Sequence, residues 1–186
     1  MGSKCDSTNL SIHVICEGEA DPFNDVEGDD ADEPREFFAL NEVAVTRGAN
    51  GRIIDFGLDV SGSHLATMRG DGLVVASATG STAYALSAGG PIIAPRSNCI
   101  EVVPVAAHTL GIRPTIFRSS AHITVTPILE EGRDALLLAD GTAGFLLAPG
   151  DVVHIRKDSA QVLVVRMKPD SFYETVRDKL QEGESQ

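Results

Sequence analysis

Cysteine is scarce in this sequence: Cys5, Cys16 and Cys99 are odd in number and widely spaced. That argues against a disulfide framework and favours a reducing, cytoplasmic setting. No apolar run approaches the roughly 18 residues needed to cross a bilayer, so no membrane partner is expected. The opening MGSKCDSTNL has no apolar core of signal-peptide length, which reads against secretion. Basic residues form no stripe, and phosphate-backbone binding needs one, so nucleic acid is excluded as a partner. Phosphate-cradling signatures are missing too: there is no G-x-x-x-x-G-K-[ST] loop, and Gly70-Asp71-Gly72 is followed by Val75 where G-x-G-x-x-G needs its third glycine. The nucleophile elbow G-x-S-x-G is absent. His13, His64, His108, His122 and His154 never fall at i, i+3 or i, i+4, which disfavours a metal site.

What is present suits one soluble globular domain: 186 residues, 42% hydrophobic and 23% charged. The net charge of −12 is concentrated between Glu17 and Glu36, where ten acids face Arg35 alone. Such a run cannot bury enough surface to order itself and reads as a solvated, flexible insertion. It lacks the ligand order of an EF-hand loop.

Around that insertion the pattern is mainly β. Strands are expected over Leu10–Cys16, Phe37–Val45, Arg52–Val60, Leu73–Ser77, Ile100–Val105, His122–Ile128, Ala135–Ala139, Gly144–Ala148, Val152–Arg156 and Gln161–Met167. Turns fall at 48–51, at 61–63 and at Pro149-Gly150-Asp151. Two segments read as helical. One begins near Ser81, with Ser81 or Thr82 as its cap, and ends at Gly89-Gly90-Pro91; the other spans Asp170–Gln181. The expected architecture is a two-sheet, β-sandwich-like domain with one short helix in the middle and one at the C-terminus. Its organisation reads as an N-terminal strand region (1–16), the acidic insertion (17–36), a β-rich domain (37–181) and a tail (182–186).

The chemistry concentrates in Gly70–Pro91, GDGLVVASATGSTAYALSAGGP. Thr79-Gly80-Ser81-Thr82-Ala83-Tyr84 reads as a strand-to-helix turn in which glycine permits close backbone approach and free N–H groups can face a ligand. Tyr84 is either a half-buried packing residue or an aromatic face for a base. Asp71, between two glycines, is either a turn residue or a carboxylate gripping a ribose or amide. Asn41-Glu42 interrupts an apolar strand, a costly placement unless both are partnered. Asp140-Gly141 puts a carboxylate at a strand exit, as a turn residue or as part of a site.

ALNEV at Ala39–Val43, GDGLVVASATGSTAY at Gly70–Tyr84 and LSAGGPI at Leu86–Ile92 together resemble the carboxy-terminal domain of the NAD kinase family. Asp140-Gly141 and the closing SFYETVRDKL are similar to further family elements. The resemblance runs from about Ala39 to Leu180. It implies a β-rich domain that holds NAD and builds a homo-oligomer. On that resemblance Asn41 and Glu42 contact the adenosine ribose, Thr79 and Ala83 line the adenine pocket, and Tyr84 stacks near the ring. Asp71 and Ser87 touch the other end of the dinucleotide, partly across a subunit boundary, and Ala106 is a further lining position. Asp140, the catalytic candidate, matches an acidic residue beside the reacting hydroxyl. The implied reaction moves the γ-phosphoryl group of ATP, with Mg2+, to the adenosine 2′-hydroxyl of NAD, giving NADP. The family's GGDG motif, however, is nowhere in this sequence. The expectation is therefore the acceptor-holding portion of a kinase, inactive without a GGDG domain. The alternative is a non-catalytic dinucleotide-binding or oligomerisation domain.

Overall fold

The structure is a computed structural model that describes residues 4–15, 35–49, 51–109, 111–130, 132–165 and 172–182. The strands are β1 (Lys4–Ile15), β2 (Arg35–Ala39), β3 (Glu42–Arg47), β4 (Ile54–Val60), β5 (Ser63–Gly70) and β6 (Gly72–Ser77), then β7 (Cys99–Val105), β8 (Thr115–Arg118), β9 (Ile123–Ile128), β10 (Ala135–Ala139), β11 (Thr142–Leu147) and β12 (Val152–Val165). Two helices accompany them, α1 (Tyr84–Ser87) and α2 (Phe172–Glu182). The strands form two six-stranded sheets, ordered β2-β1-β12-β9-β4-β5 and β11-β10-β3-β6-β7-β8. Every recorded pairing is antiparallel. The expected mainly β, two-sheet architecture is therefore what the chain adopts.

Period-two alternation explains why the sheets face each other. Val43, Val45, Leu73, Val75, Ile100, Val102 and Leu137 of the second sheet meet Ile54, Phe56, Leu58, Ile123, Val125, Val153 and Ile155 of the first. β6 does not alternate: all six of its residues are buried. Its outer side is covered by α1, where Ala85 packs with Ala44, Val74, Ala76 and Val103 in a second small core. A strand covered on both faces reads as a continuous apolar run, and Leu73–Ala76 does.

Two hairpins use a two-residue turn with both residues at positive φ. Ser61 (φ 51°) and Gly62 (φ 82°) join β4 to β5, and Asp140 (φ 48°) and Gly141 (φ 71°) join β10 to β11. That turn carries the right-handed twist of paired strands, and Asp-Gly is a favoured sequence for it.

Several boundaries differ from the sequence reading. Phe37–Val45 is two strands in different sheets, β2 and β3, broken at Leu40-Asn41. The apolar pattern fails there only at Asn41-Glu42, and a polar pair does not by itself say that the chain changes sheets. Ser63–Gly70 and Thr115–Arg118 are strands that carry too few apolar residues to register; they form the edges of the two sheets. Val152–Arg156 and Gln161–Val165 belong to one long strand. The expected helix after Ser81 shrinks to a 3-10 turn at Gly80–Thr82 followed by the four residues of α1. Its end matches the expectation. Gly89 takes φ 90°, and the Gly90 and Gly89 N–H groups donate to the Ala85 and Leu86 carbonyls at 2.9 and 3.0 Å, a Schellman closure. Residues 17–34 of the acidic insertion (17–36) and the expected cap of α2 at Asp170 or Ser171 lie outside the described residues, while Arg35 and Glu36, expected in the flexible run, open β2. Among those described, no helix is long and apolar enough to cross a membrane.

Candidate nucleotide site

The break between β2 and β3 is held open by a carboxylate. Asp140 Oδ2 accepts the Leu40 N–H at 2.7 Å, and Oδ1 accepts the N–H groups of Asn41 at 2.7 Å and Glu42 at 3.1 Å. The Asp140 N–H in turn donates to the Glu42 carbonyl at 3.0 Å. Three consecutive backbone donors aimed at one side chain form an anion-holding concavity, and here the anion belongs to the protein.

The carbonyl side of the same break is fixed by β6. Ser77 donates its N–H to the Asn41 carbonyl at 2.9 Å and its hydroxyl to the Leu40 carbonyl at 2.8 Å. The Ser77 hydroxyl also accepts the Gly80 N–H at 3.1 Å. Gly80 then lies flat on Asn41, and a Cβ there would collide with the Asn41 carbonyl. Glycine is required at this position for close approach. The Thr79–Tyr84 turn is thus clamped onto Asn41-Glu42 by backbone contacts.

Glu42 projects to the face that carries α1 and is 6% exposed. Its carboxyl accepts the backbone N–H of Tyr84, which lowers its pKa, but burial and then repulsion from Asp140 outweigh this, and the net shift is upward. Two buried polar atoms at this place have no partner, Glu42 Oε2 and Thr79 Oγ1. A buried polar atom left unpaired costs about 1–3 kcal/mol. Two of them at one turn leave hydrogen-bonding capacity that a ligand's hydroxyl or amino groups would satisfy only after a local shift of the turn exposes them. Tyr84, 38% exposed, stands beside them with its ring available for stacking.

The other sequence-derived residues lie elsewhere. Asp71 is at the opposite end of β3 and β6, since Thr46 pairs with Gly72 where Glu42 pairs with Ala76. Asp71 lies five residues before Ala76, so at about 3.4 Å per residue it is roughly 17 Å away. There Asp71 pairs with Arg47 at 2.8 Å and donates its N–H to Val105 at 3.0 Å. This brings it close to Ala106, which is exposed at φ 46°. Ser87 is exposed on α1. One chain thus gathers Asn41, Glu42, Thr79, Ala83, Tyr84 and Asp140 at one end, with Asp71 and Ala106 at the other.

Ser81 is not a helix cap. It is fully buried, donates to Ala78 at 2.9 Å and accepts the Ile93 N–H at 3.0 Å, stapling the chain beyond α1 back to the turn. Thr82 Oγ1 bonds the Thr79 carbonyl at 3.4 Å and caps nothing either. Three residues went unread in the sequence: Ser77, which links both halves of the clamp; Arg47, partner of Asp71; and Glu101, a buried carboxyl on β7. Glu101 carried a visible signal, an acid inside the apolar run CIEVVPV, of the kind that singled out Glu42.

The sequence model of the ATP-NAD kinase C-terminal domain matches residues 40–167. NAD kinase of Syntrophotalea carbinolica is 43% identical over 148 residues, 80% of this chain and 52% of that protein. NAD kinase of Geobacter sulfurreducens is 41% identical over 145 residues, 78% of this chain and 51% of the relative. The chain therefore spans about half the length of these relatives. Among solved structures, the fold resembles yeast NADH kinase complexed with NADH, with a TM-score of 0.83 at 24% identity over 97% of this chain and 49% of the other. It also resembles an NAD kinase from Archaeoglobus fulgidus in complex with ATP, with a TM-score of 0.71 at 24% identity over 96% of this chain and 61% of that one.

Proposed function

This chain belongs to the NAD kinase family, through its C-terminal domain, and on that footing we propose that it holds the acceptor NAD for phosphorylation of the adenosine 2′-hydroxyl. The observation that carries the reading is the pair of unpartnered buried atoms, Glu42 Oε2 and Thr79 Oγ1, beside the exposed Tyr84 ring. Glu42, with Asn41 next to it, takes the adenosine ribose hydroxyls. Thr79 and Ala83 line the adenine pocket and Tyr84 stacks on the ring. Asp140 stands next to the reacting hydroxyl. Its two oxygens are already engaged by three backbone N–H groups, so its first task is to orient the Asn41-Glu42 edge. Oδ2, with a single donor, keeps capacity to accept the ribose proton.

Asp71, Ala106 and Ser87 serve the other end of the dinucleotide. The separation of Asp71 from Glu42 within one chain supports a homo-oligomer in which a second copy completes the pocket. Among the described residues no group of three or more His, Cys, Asp or Glu side chains could hold a metal ion. ATP is the donor by family analogy, with the phosphate-cradling GGDG glycines supplied from outside this chain.

Half-length coverage of the relatives keeps a second reading in play, a dinucleotide-holding domain without turnover of its own. Two assays with this chain separate the readings: NAD binding by calorimetry, and NADP formation from NAD, ATP and Mg2+. The expected result is binding without turnover. Robust NADP formation by the chain alone would overturn the acceptor-only assignment, and absence of binding would overturn the site.

A further inference from the structure

A carboxyl that the dinucleotide reading leaves unused lies beneath α1. Glu101 on β7 pairs across the sheet with Ala76, which pairs with Glu42. Directly opposed residues share a face, so Glu42 and Glu101 flank Ala76 on the side that α1 covers, about 10 Å apart across two strand spacings. Glu42 takes the first N–H of α1, at Tyr84. Glu101 lies under the other end. A Cβ on Gly90 would stand 3.1 Å from Glu101 Oε2 and 2.9 Å from the Ala85 carbonyl oxygen that closes the helix. Glu101 is 0% exposed and neither of its oxygens has a hydrogen-bond partner.

We propose that Glu101 is a positioning residue for the nucleotide site, whose carboxyl keeps α1 seated on the sheet while it carries a proton and loosens that seat when it ionises. The proposal rests on the NAD reading only for what α1 presents, Tyr84 and Ser87. A neutral carboxyl in this place costs unmade hydrogen bonds; an ionised one adds an uncompensated charge beside the carbonyl end of α1. The groups facing it offer no compensation. On β7 the same face carries Cys99, whose thiol is pushed up by burial and then by Glu101 itself. β6 presents Ala76 and β8 presents Ile116, with exposed Arg118 beyond, opposite Cys99. α1 contributes Ala85 and Ala88, with Tyr84 at its far end, and Glu42 is two strands away. Burial alone pushes the Glu101 carboxyl up to about 7 from an ordinary 4.5.

The seated state holds the proton more tightly than an opened, hydrated one. Opening is therefore unaffected below about pH 4.5, grows as pH rises from there to about 7, and levels above. One proton limits the change to about tenfold per pH unit.

The test is amide hydrogen exchange at Ala88, Gly89 and Gly90, whose N–H groups bond Tyr84, Leu86 and Ala85. It is run from pH 5 to 8 on this chain and on Glu101→Gln, with Glu101→Met as the alternative if the first variant does not fold. Corrected for intrinsic rates, protection in the wild type is expected to fall between pH 5 and 7 by up to about tenfold per unit, and to fall less in the variant, which keeps only Glu42 under α1. NAD affinity, titrated over the same range, is expected to fall with protection in the wild type and less in the variant. Glu42 titrates beside the ligand in both, so the difference between them is the share of Glu101. Superimposable protection profiles would overturn the proposal. If the wild type binds no NAD at any pH, the nucleotide reading fails, and the exchange profiles alone decide the role of Glu101.

Discussion

Asp140 reaches back ninety-nine residues to Asn41, its Oδ1 accepting the Asn41 backbone N–H at 2.7 Å. That bond and its two neighbours turn the chain from one sheet into the other, so the carboxylate is structural before it is chemical. Asp140→Gly keeps the positive-φ turn and removes the grip. It is expected to cost about 2 kcal/mol in urea unfolding, the scale of hydrogen bonds to a charged acceptor, and to weaken NAD binding with it. Asp140→Ala should cost about 1 kcal/mol more, because alanine resists the left-handed turn. Equal stability of the glycine variant and the wild type would show that the clamp contributes little.

Gly80→Ala puts a Cβ into the Asn41 carbonyl, where backbone meets backbone and nothing can yield cheaply. We expect a loss of about 2 kcal/mol or more in chemical denaturation, together with loss of NAD binding. Gly62→Ala, where nothing lies within 4 Å, is the control and should cost only the strain of its positive φ, about 1 kcal/mol.

Tyr84→Ala should separate binding from folding. The ring is partly exposed, so the midpoint of unfolding should move little. NAD affinity should fall by roughly 1–3 kcal/mol, the scale of base–aromatic stacking. A calorimetric titration showing unchanged affinity would remove the stacking role.

Glu101 makes global stability pH-dependent. Its carboxyl is raised in the folded protein, so its contribution is complete below about pH 4.5 and lost as pH rises to about 7. Glu101→Gln should match the wild type at pH 4. At pH 8 it should be more stable by up to about 3 kcal/mol, in urea melts at both pH values. A gap that does not change with pH would contradict this.

The sequence made the two-sheet class legible because most strands alternate between glycine and proline turns. It also exposed the pocket, since TGSTAY and Asn41-Glu42 place polar groups where an apolar pattern should continue. The break at Leu40-Asn41 was hidden because it depends on Asp140, a hydrogen bond across 99 residues that no local pattern encodes. β5 and β8 escaped notice because edge strands need no alternation; one side faces solvent, and Leu65 and Ile116 remain half exposed. A hydroxyl at a helix start is usually a cap, which is why Ser81 or Thr82 reads as one in the sequence. Here a buried serine is worth more as a staple to Ile93.

Thr79 gives the NAD pocket its most direct test. Its hydroxyl oxygen is buried without a partner, so Thr79→Val removes an unpaired polar atom and keeps the shape. Calorimetric titration of NAD into the wild type and this variant, alongside their unfolding midpoints, is the decisive measurement. Thr79→Val is expected to be as stable as the wild type or more so, yet to bind NAD about tenfold or more weakly, one hydrogen bond's worth. Equal affinity in the two proteins would contradict it.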